Sequence, residues 1–330
     1  MSRVPITVAT WDYDRVRALA DGRVPIEGCD VNYLTMRVEE ILERAFFHGE
    51  FEVAEIGLSP HLIALSRGIA RYAALPVFLS RMFRHSAIYI RTDRGIDGPA
   101  ELRGRRVGVP EYQMSAALWV RGFLNDDFAI AAADIEWVQA GLEQAGRRDK
   151  FPLNLPPAFP LTSAANGETL SQMLAEGRLD AVISARRPSC FVAGHPLVRR
   201  LFPDYRAAER DYYRRSGLFP IMHALGVRRD VLEQHPWLAA SVYKAFAQAK
   251  RIADEDLAET TALKVGLPWV TAELDATRET MGEDFWPYGV EPNRRTLAAM
   301  ARYSHEQGLA VRLLSVGEMF APGTLSELRV

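Results

Sequence analysis

Cysteine, an excess of basic residues and long apolar segments are all scarce in this sequence, and each scarcity excludes a class of protein. Only two cysteines occur among 330 residues, which excludes a disulfide framework and any CxxC motif. Forty Lys and Arg against 42 Asp and Glu give a net charge of −2, which argues against a nucleic-acid-binding protein. The longest uncharged segment, 151–167, contains four prolines and predicts a loop rather than a membrane span.

Several motifs of common catalytic sites are missing as well. The sequence has no GxGxxG after a strand, no Walker A loop and no GxSxG, which disfavours nucleotide cofactors and the common serine hydrolases. None of the seven histidines forms an HExxH motif or another close metal pair. We therefore expect no organic cofactor, and a weakly bound divalent metal stays an open alternative. Because no apolar segment typical of a signal peptide is present, we expect a cytoplasmic protein.

What the sequence does contain is an alternation of short apolar runs with helical periodicities, which is typical of an α/β protein. Strands are predicted at 6–10, 31–34, 53–56, 73–78, 86–91, 107–109, 135–138, 181–184 and 224–227. Helices are predicted at 38–47, 113–124, 170–175, 236–257, 272–281 and 293–307, the clearest of them being 236–257.

The distribution of these elements predicts two lobes. The middle of the chain holds a strand–helix–strand unit and the proline-rich loop, whereas the last third is nearly all helix and has too few strands for a sheet of its own. We predict that residues 1–92 and 223–330 form one discontinuous lobe and that 93–222 form the other. Ser86–Arg91 and Ala224–Val227 are the predicted crossing strands, with a ligand cleft between the lobes.

Ligands of open α/β sheets bind beyond the carboxyl ends of the strands, and the first and third predicted strands end in suggestive residues. Trp11 and Asp12 follow the first strand. Ser59 follows the third and fits a helix N-cap, with free N–H groups directed into the space beyond the sheet. An ordinary capped helix is the alternative interpretation of Ser59.

Two later strand ends carry residues suited to anions. Tyr112 and Gln113 lie between the strand at 107–109 and a helix start that favours an anion. Arg186 and Arg187 directly follow the strand at 181–184, and a pair of arginines there suits bidentate binding of carboxylates. The alternatives are an ordinary strand–turn–helix and two solvated arginines.

Two histidines lie at the ends of the predicted crossing strands. His85 precedes the first crossing strand and His223 begins the second, so both imidazoles are predicted to flank the cleft. Imidazole titrates near neutral pH, which suits a proton donor. A purely structural histidine is the alternative for each.

Several stretches, taken in order, resemble a known family. They are Leu-Arg-Gly-Arg-Arg-Val-Gly-Val-Pro-Glu-Tyr-Gln-Met at 102–114, Trp-Val-Arg-Gly at 119–122, Gly-Leu-Glu at 141–143 with Gly-Arg at 146–147, Phe-Pro-Ile-Met-His at 219–223, and Trp-Pro-Tyr-Gly at 286–289 with Asn293. The likeness runs from 11–15 to 318–320. On these stretches the sequence resembles the 4,5-dihydroxyphthalate decarboxylase family, within the type II periplasmic-binding-protein superfamily. This chain departs from the family's pattern at two places. The family is expected to have Tyr-Gly where this chain has Phe128-Ala129, and a more polar segment where this chain has Gly-Leu-Ser-Pro-His at 57–61.

The resemblance implies two α/β lobes joined by two hinge strands, and loss of CO₂ from an aromatic dicarboxylate without an organic cofactor. The substrate it implies is 4,5-dihydroxyphthalate and the product protocatechuate, a step of phthalate degradation. His223 or His85 is then the expected acid, and Asp12 or Glu55 the acceptor of a phenolic proton. Arg84, Arg186 and Arg187 are expected to hold the carboxylates. The residues expected to enclose the ring are Trp11, Tyr112 and Trp286.

Two other functions fit the same residues. A solute-binding protein for an aromatic acid would use the fold without turning the ligand over, because a fold does not determine a function. Another enzyme acting on a small acid is the third possibility. The sequence leaves open which hydroxylated aromatic acid is bound and whether the chain forms a homo-oligomer; a membrane is not among the expected partners.

Overall fold

The structure is a computed structural model that describes residues 3–147 and 149–325. These residues form eleven strands: β1 (Val4–Thr10), β2 (Cys29–Thr35), β3 (Val53–Gly57), β4 (Tyr72–Arg81), β5 (Ile88–Arg91), β6 (Arg106–Val109), β7 (Glu136–Gln139), β8 (Leu161–Ser163), β9 (Ala181–Ile183), β10 (Val198–Arg200) and β11 (Ile221–Arg228). They also form eleven α-helices: α1 (Arg17–Ala20), α2 (Val38–Glu43), α3 (Leu58–Ser66), α4 (Ser115–Phe128), α5 (Leu170–Ala175), α6 (Ser189–Val192), α7 (Tyr205–Ser216), α8 (Arg229–Gln234), α9 (Leu238–Ala258), α10 (Val270–Met281) and α11 (Arg294–Glu306).

The strands divide between two sheets, which confirms the predicted α/β class. The first sheet has the order β2-β1-β3-β11-β4, with β1 parallel to β2 and β3, and β11 antiparallel to β3 and β4. The second has the order β10-β5-β9-β6-β7-β8, with β6 parallel to β7 and β9. The sheet order places β11, from the last third of the chain, between two early strands.

The chain passes from the first sheet to the second after β4 and returns before β11. The amide of Met82 donates to the carbonyl of Pro220 at 3.1 Å, which joins the two connections side by side. The predicted crossing strand at 86–91 begins at Ile88 and pairs entirely within the second sheet. The lobe boundaries at 92/93 and 222/223 stay predictions.

Some elements differ from those predicted by the sequence. The strand β8 lies inside the segment predicted as a loop, and β10 and α7 have no predicted counterpart. Three-residue strands are too short to show a two-residue alternation, and α7 buries only Tyr212, so its apolar periodicity is weak. The helix after β3 begins at Leu58 with Gly57 as its N-cap, so the prediction of Ser59 as the N-cap was wrong.

Helix α4 is fixed beside β11 by two hydrogen bonds from its buried face. Trp119 Nε1 donates to the carbonyl of Ile221 at 2.9 Å, and Ser115 Oγ donates to the carbonyl of Met222 at 2.8 Å. Both donors are buried, and buried polar groups that are paired in this way hold neighbouring elements in one register. The first turn of α4 therefore lies next to the residue that follows Met222. In the described part of the chain, no helix combines the length and the apolar character needed to cross a membrane.

Ala129 ends α4 in the left-handed region, with a φ of 53°. A Cβ is disfavoured there by about 1–2 kcal/mol, and glycine usually occupies this position after a helix. Ala129→Gly should therefore raise the free energy of unfolding by about 1 kcal/mol, measured by urea denaturation. Ala133→Gly, at an exposed residue with negative φ, is the matched control and should lower it. Equal effects of the two substitutions would contradict the conformational explanation.

Candidate active site

A cleft of about 470 Å³ lies beyond the carboxyl ends of strands from both sheets. Trp11 after β1, Gly57 at the end of β3, Glu111 after β6 and Arg186 after β9 all line it. The four strand ends selected from the sequence thus meet at one cavity, as the general rule for α/β sheets predicts. Its apolar lining residues include Val38, Leu42, Phe46, Met114 and Met222.

His223 and Glu55 form a hydrogen-bonded pair on two neighbouring strands of the first sheet. The Nδ1 of His223 lies 2.6 Å from Oε1 of Glu55, and the two residues stand on the neighbouring strands β11 and β3. The register of β11 against β4 shifts on both sides of His223, an irregularity of the kind that re-aims a side chain. His223 lines the cleft, and its Nε2 makes no hydrogen bond with a described residue. This leaves Nε2 as the ring nitrogen available to a ligand.

The Glu55 carboxylate is completely buried and accepts three hydrogen bonds. Besides His223, the Tyr13 hydroxyl donates to it at 2.7 Å and the Trp11 amide at 3.0 Å. Burial alone would raise the pKa of Glu55, but the hydrogen bond and charge of His223, with the other two donors, hold that pKa below its usual value. Burial, and then the Glu55 charge, raise the pKa of Tyr13 far above that of an ordinary phenol. Glu55 is therefore an ion at neutral pH, and Tyr13 stays a donor.

Arg84 places a buried guanidinium in the cleft, and no carboxylate of the described residues lies within 4 Å of it. Its Nε lies 3.3 Å from the sulfur of Met222 and its Nη1 3.5 Å from the sulfur of Met82. Burial lowers the pKa of Arg84 to about 10, with the charge of the more distant Glu209 opposing the shift, so the group is still charged at neutral pH. A desolvated cation with only sulfur acceptors is poorly satisfied, which favours binding of an anion at this point.

The rest of the polar lining is rich in cations. Of the described lining residues, five are arginine or lysine and two are glutamate. Arg147 and Lys150 pair with Glu111 at 2.5 Å and 3.6 Å, and Arg186 pairs with Glu39 at 2.6 Å. A cleft with this balance attracts a dianion before any contact is made.

Three residues with predicted catalytic or binding roles do not line this cleft. His85 is buried and stacks on Phe123 with ring centroids 4.2 Å apart, and burial lowers its pKa to about 4. Asp12 is exposed and pairs with Arg17 at 3.2 Å. Ser59 is buried, with its amide donating to Ser115 Oγ at 3.2 Å.

Four further residues predicted to bind the substrate lie outside the cleft lining. Tyr112 is buried under the Arg121 guanidinium, and the Gln113 side chain bonds the backbone of Phe151. Trp286 donates through Nε1 to the carbonyl of Phe78, and Arg187 is exposed. Of the predicted set, Trp11, Arg84, Arg186 and His223 line the cleft, with Glu55 directly behind His223.

Sequence reasoning did not select Glu111, Arg147 or Lys150 as site residues. Glu111 follows a strand end, which was the available signal, whereas Arg147 and Lys150 belong to a long connection whose path no local pattern predicts. Within residues 3–147 and 149–325, no three His, Cys, Asp or Glu side chains come together as a metal site. The expected lack of a cofactor stays a prediction.

Comparison with solved structures shows the fold. The aliphatic sulphonate-binding protein of Escherichia coli superposes with a TM-score of 0.54 over 98% of this chain and 99% of its own, at 14% identity. A sulfonate-binding protein of Methylobacillus flagellatus gives 0.54 over 98% and 93%, at 13% identity. The two-lobe periplasmic-binding-protein-like fold predicted from the sequence is confirmed.

Comparison with curated proteins shows the family, although no family model matches the chain. A 4,5-dihydroxyphthalate decarboxylase of Comamonas testosteroni is 43% identical over 330 residues, which are the whole of both chains. A second protein of that name, from Pseudomonas putida, is 46% identical over 214 residues, covering 65% of this chain and 83% of its own. These matches confirm the resemblance seen in the sequence: the chain belongs to the 4,5-dihydroxyphthalate decarboxylase family.

Proposed function

We propose that this protein removes one carboxylate from 4,5-dihydroxyphthalate as CO₂ and leaves protocatechuate. Both curated relatives are named for action on this substrate. The observation in the structure that carries the proposal is that His223 and Arg84, which forms no salt bridge with a described residue, line one cation-rich cleft. A proton donor and a carboxylate-binding cation are the two parts that this reaction needs at the leaving group.

The reaction requires a proton at the carbon that loses CO₂. Direct loss of CO₂ would leave an aryl carbanion, which is very unstable, whereas a hydroxyl para to the leaving carboxylate makes that ring carbon nucleophilic. Protonation of the carbon comes first, and cleavage of the C–C bond then returns its electron pair to the ring and restores aromaticity. The site must therefore deliver a proton to carbon before CO₂ departs.

His223 is suited to deliver that proton through Nε2. Glu55 holds the Nδ1 side of the ring at 2.6 Å, which fixes the orientation of the imidazole and balances the charge of its doubly protonated form. Glu55 is buried behind the ring and acts on the substrate only through His223, so it is a positioning residue. Solvent reprotonates Nε2 after each turnover, because the net reaction consumes one proton.

Arg84 is suited to hold a carboxylate next to His223, since it contacts the preceding residue, Met222. The ring then lies against the apolar side chains of Phe46 and Met114, with Trp11 at the cleft entrance, where it is 41% exposed. Loss of CO₂ removes one negative charge from the ligand. The cation-rich cleft therefore binds the product less tightly than the substrate, which favours release.

A solute-binding protein is the second candidate, favoured by the fold alone. The solved sulfonate-binding proteins share the two-lobe architecture at 13–14% identity. Incubation of purified protein with 4,5-dihydroxyphthalate distinguishes the two: an enzyme releases CO₂ and protocatechuate, and a binding protein returns the ligand unchanged. A cytoplasmic location and the oligomeric state stay predictions.

A singly hydroxylated analogue tests the para-hydroxyl route. In 4-hydroxyphthalate only one carboxylate is para to the hydroxyl, and its loss gives 3-hydroxybenzoate. We expect 3-hydroxybenzoate as the sole product, measured by chromatography, because the other ring position has no para hydroxyl to make it nucleophilic. Phthalate itself, the control without a hydroxyl, should release no CO₂. Formation of 4-hydroxybenzoate would contradict this route.

A further inference from the structure

The cleft contains a buried carboxylate, Glu111, that has no part in proton delivery by His223 or in carboxylate binding by Arg84. Its side chain is 4% exposed, and Oε1 pairs with Arg147 Nε at 2.5 Å and with Lys150 Nζ at 3.6 Å. The other oxygen, Oε2, makes no hydrogen bond with a described residue, although Glu111 lines the cavity. One carboxylate oxygen is thus free to accept a hydrogen bond from a ligand.

The reaction needs such an acceptor at the far end of the ring. The hydroxyl para to the leaving carboxylate must give up its proton, at least in part, for the opposite carbon to become nucleophilic. Asp12 is exposed outside the cleft, and Glu55 lies behind His223 with both of its oxygens occupied. The other described carboxylate of the lining, Glu39, has a side chain that is 42% exposed and is paired with Arg186.

We propose that Glu111 accepts the proton of this para hydroxyl, and the proposal rests on the decarboxylation proposed above. The O–H electron pair moves into the ring as the proton passes to Oε2, and the ipso carbon takes a proton from His223. The C–C bond then breaks, its electron pair returns to the ring, and Glu111 gives its proton back to the phenolate oxygen. Lys150 and Arg147 stabilise the negative charge that develops at this end.

Glu111 and its two cations are held together by a hydrogen-bonded glutamine. The amide of Tyr112 donates to Gln139 Oε1 at 2.9 Å, and Gln139 Nε2 donates to Asp149 Oδ2 at 2.8 Å. Gln139 therefore joins the segment of Glu111 to the connection that carries Lys150. Four residues after Glu111, Ser115 bonds the carbonyl of Met222, so this wall is linked to the residue before His223. A ring with its leaving carboxylate at His223 can direct its para hydroxyl toward this wall.

The test compares Glu111→Gln with wild type in CO₂ release from 4,5-dihydroxyphthalate and in binding of phthalate, which has no hydroxyl. We expect kcat to fall by roughly 10²-fold, with the Kd for phthalate raised by less than about threefold. Glu168→Gln is the matched control: it removes the carboxylate of another arginine ion pair, with Arg178, outside the cleft, and should keep wild-type turnover. Glu111→Ala adds a readout that a structural role would not give, because added formate should restore part of its activity.

Each outcome decides the proposal. Lost turnover with retained phthalate binding and rescue by formate supports it. Near-normal turnover of Glu111→Gln overturns it, as does a loss of turnover accompanied by loss of phthalate binding and no rescue, which would show that Glu111 only supports the fold. Failure of the wild-type protein itself to release CO₂ would instead reject the proposed function, and the role of Glu111 with it.

Discussion

Replacing His223 by alanine should lower kcat for CO₂ release by roughly 10²–10⁴-fold, the usual effect of losing a positioned proton donor. His223 presents its free Nε2 to the cleft while Glu55 holds Nδ1 at 2.6 Å. Phthalate should still bind, because the contacts expected for its carboxylates come from Arg84 and the other cations. Steady-state CO₂ release and phthalate titration by calorimetry, on the same preparation, measure both quantities.

Glu55→Gln refines this test, because it keeps the shape of the side chain and removes the charge. The buried carboxylate should matter only through His223, so we expect a smaller fall in kcat than for His223→Ala and a changed pH profile of kcat. Near-normal turnover of His223→Ala would remove His223 from the reaction. Lost turnover combined with lost phthalate binding and a lower melting temperature would point to a structural histidine.

Arg84→Met should lower kcat/KM by roughly 10²–10³-fold, which corresponds to about 3–4 kcal/mol for a buried charge contact to a carboxylate. The same variant should be more stable than wild type without ligand. Burial lowers the pKa of Arg84 to about 10 in the folded protein, below its unfolded value, so the unfolded chain binds this proton more tightly. Below pH 10 the charged group therefore costs folding free energy, on the order of 3 kcal/mol, which methionine removes. Urea unfolding at pH 7 and steady-state kinetics measure the two effects.

Arg81 supplies the matched control for Arg84. It is also buried, but its guanidinium donates to Asn293 Oδ1 and the carbonyl of Phe219, each at 2.8 Å, and it does not line the cleft. Burial lowers the pKa of Arg81 to about 9, so its charge also costs folding free energy, but Arg81→Met leaves these two acceptors unpaired as well. Arg81→Met should therefore leave the ligand-free protein less stable than Arg84→Met does. If Arg84→Met destabilised the ligand-free protein as much as Arg81→Met, or kept wild-type kcat/KM, Arg84 would be a structural arginine.

The sequence predicted the architecture well because its signals are local. Buried strands such as β3 and β9 appear as short apolar runs, and the long amphipathic helix α9 shows a clear three-and-four repeat. The short β8 and β10 and the polar helix α7 lack such signals, since their positions follow from pairing and contacts with distant segments. The family resemblance rested on several sequence motifs in the same order along the chain, and it too was confirmed.

The site was predictable only in part, because strand ends give positions and not side-chain directions. His85 and His223 were equivalent in the sequence, each beside a crossing strand. The structure turns His85 into an aromatic cluster with Phe123 and His223 into the cleft, and this difference depends on the packing of α4 and the irregular register of β11. Arg84 stood out in the sequence only through its neighbour His85, since nothing local shows that a cation is buried without a partner.

The Glu55–His223 pair lies within a single sheet, on adjacent strands, whereas Glu111, Lys150 and Arg186 come from segments attached to the other sheet. The proton that Nδ1 shares with the buried carboxylate is therefore held by residues of one sheet only. In a proton NMR spectrum it should appear as a slowly exchanging resonance, far downfield, and keep its position when phthalate is added. The hydrogen bond that orients His223 is therefore complete before a ligand enters the cleft.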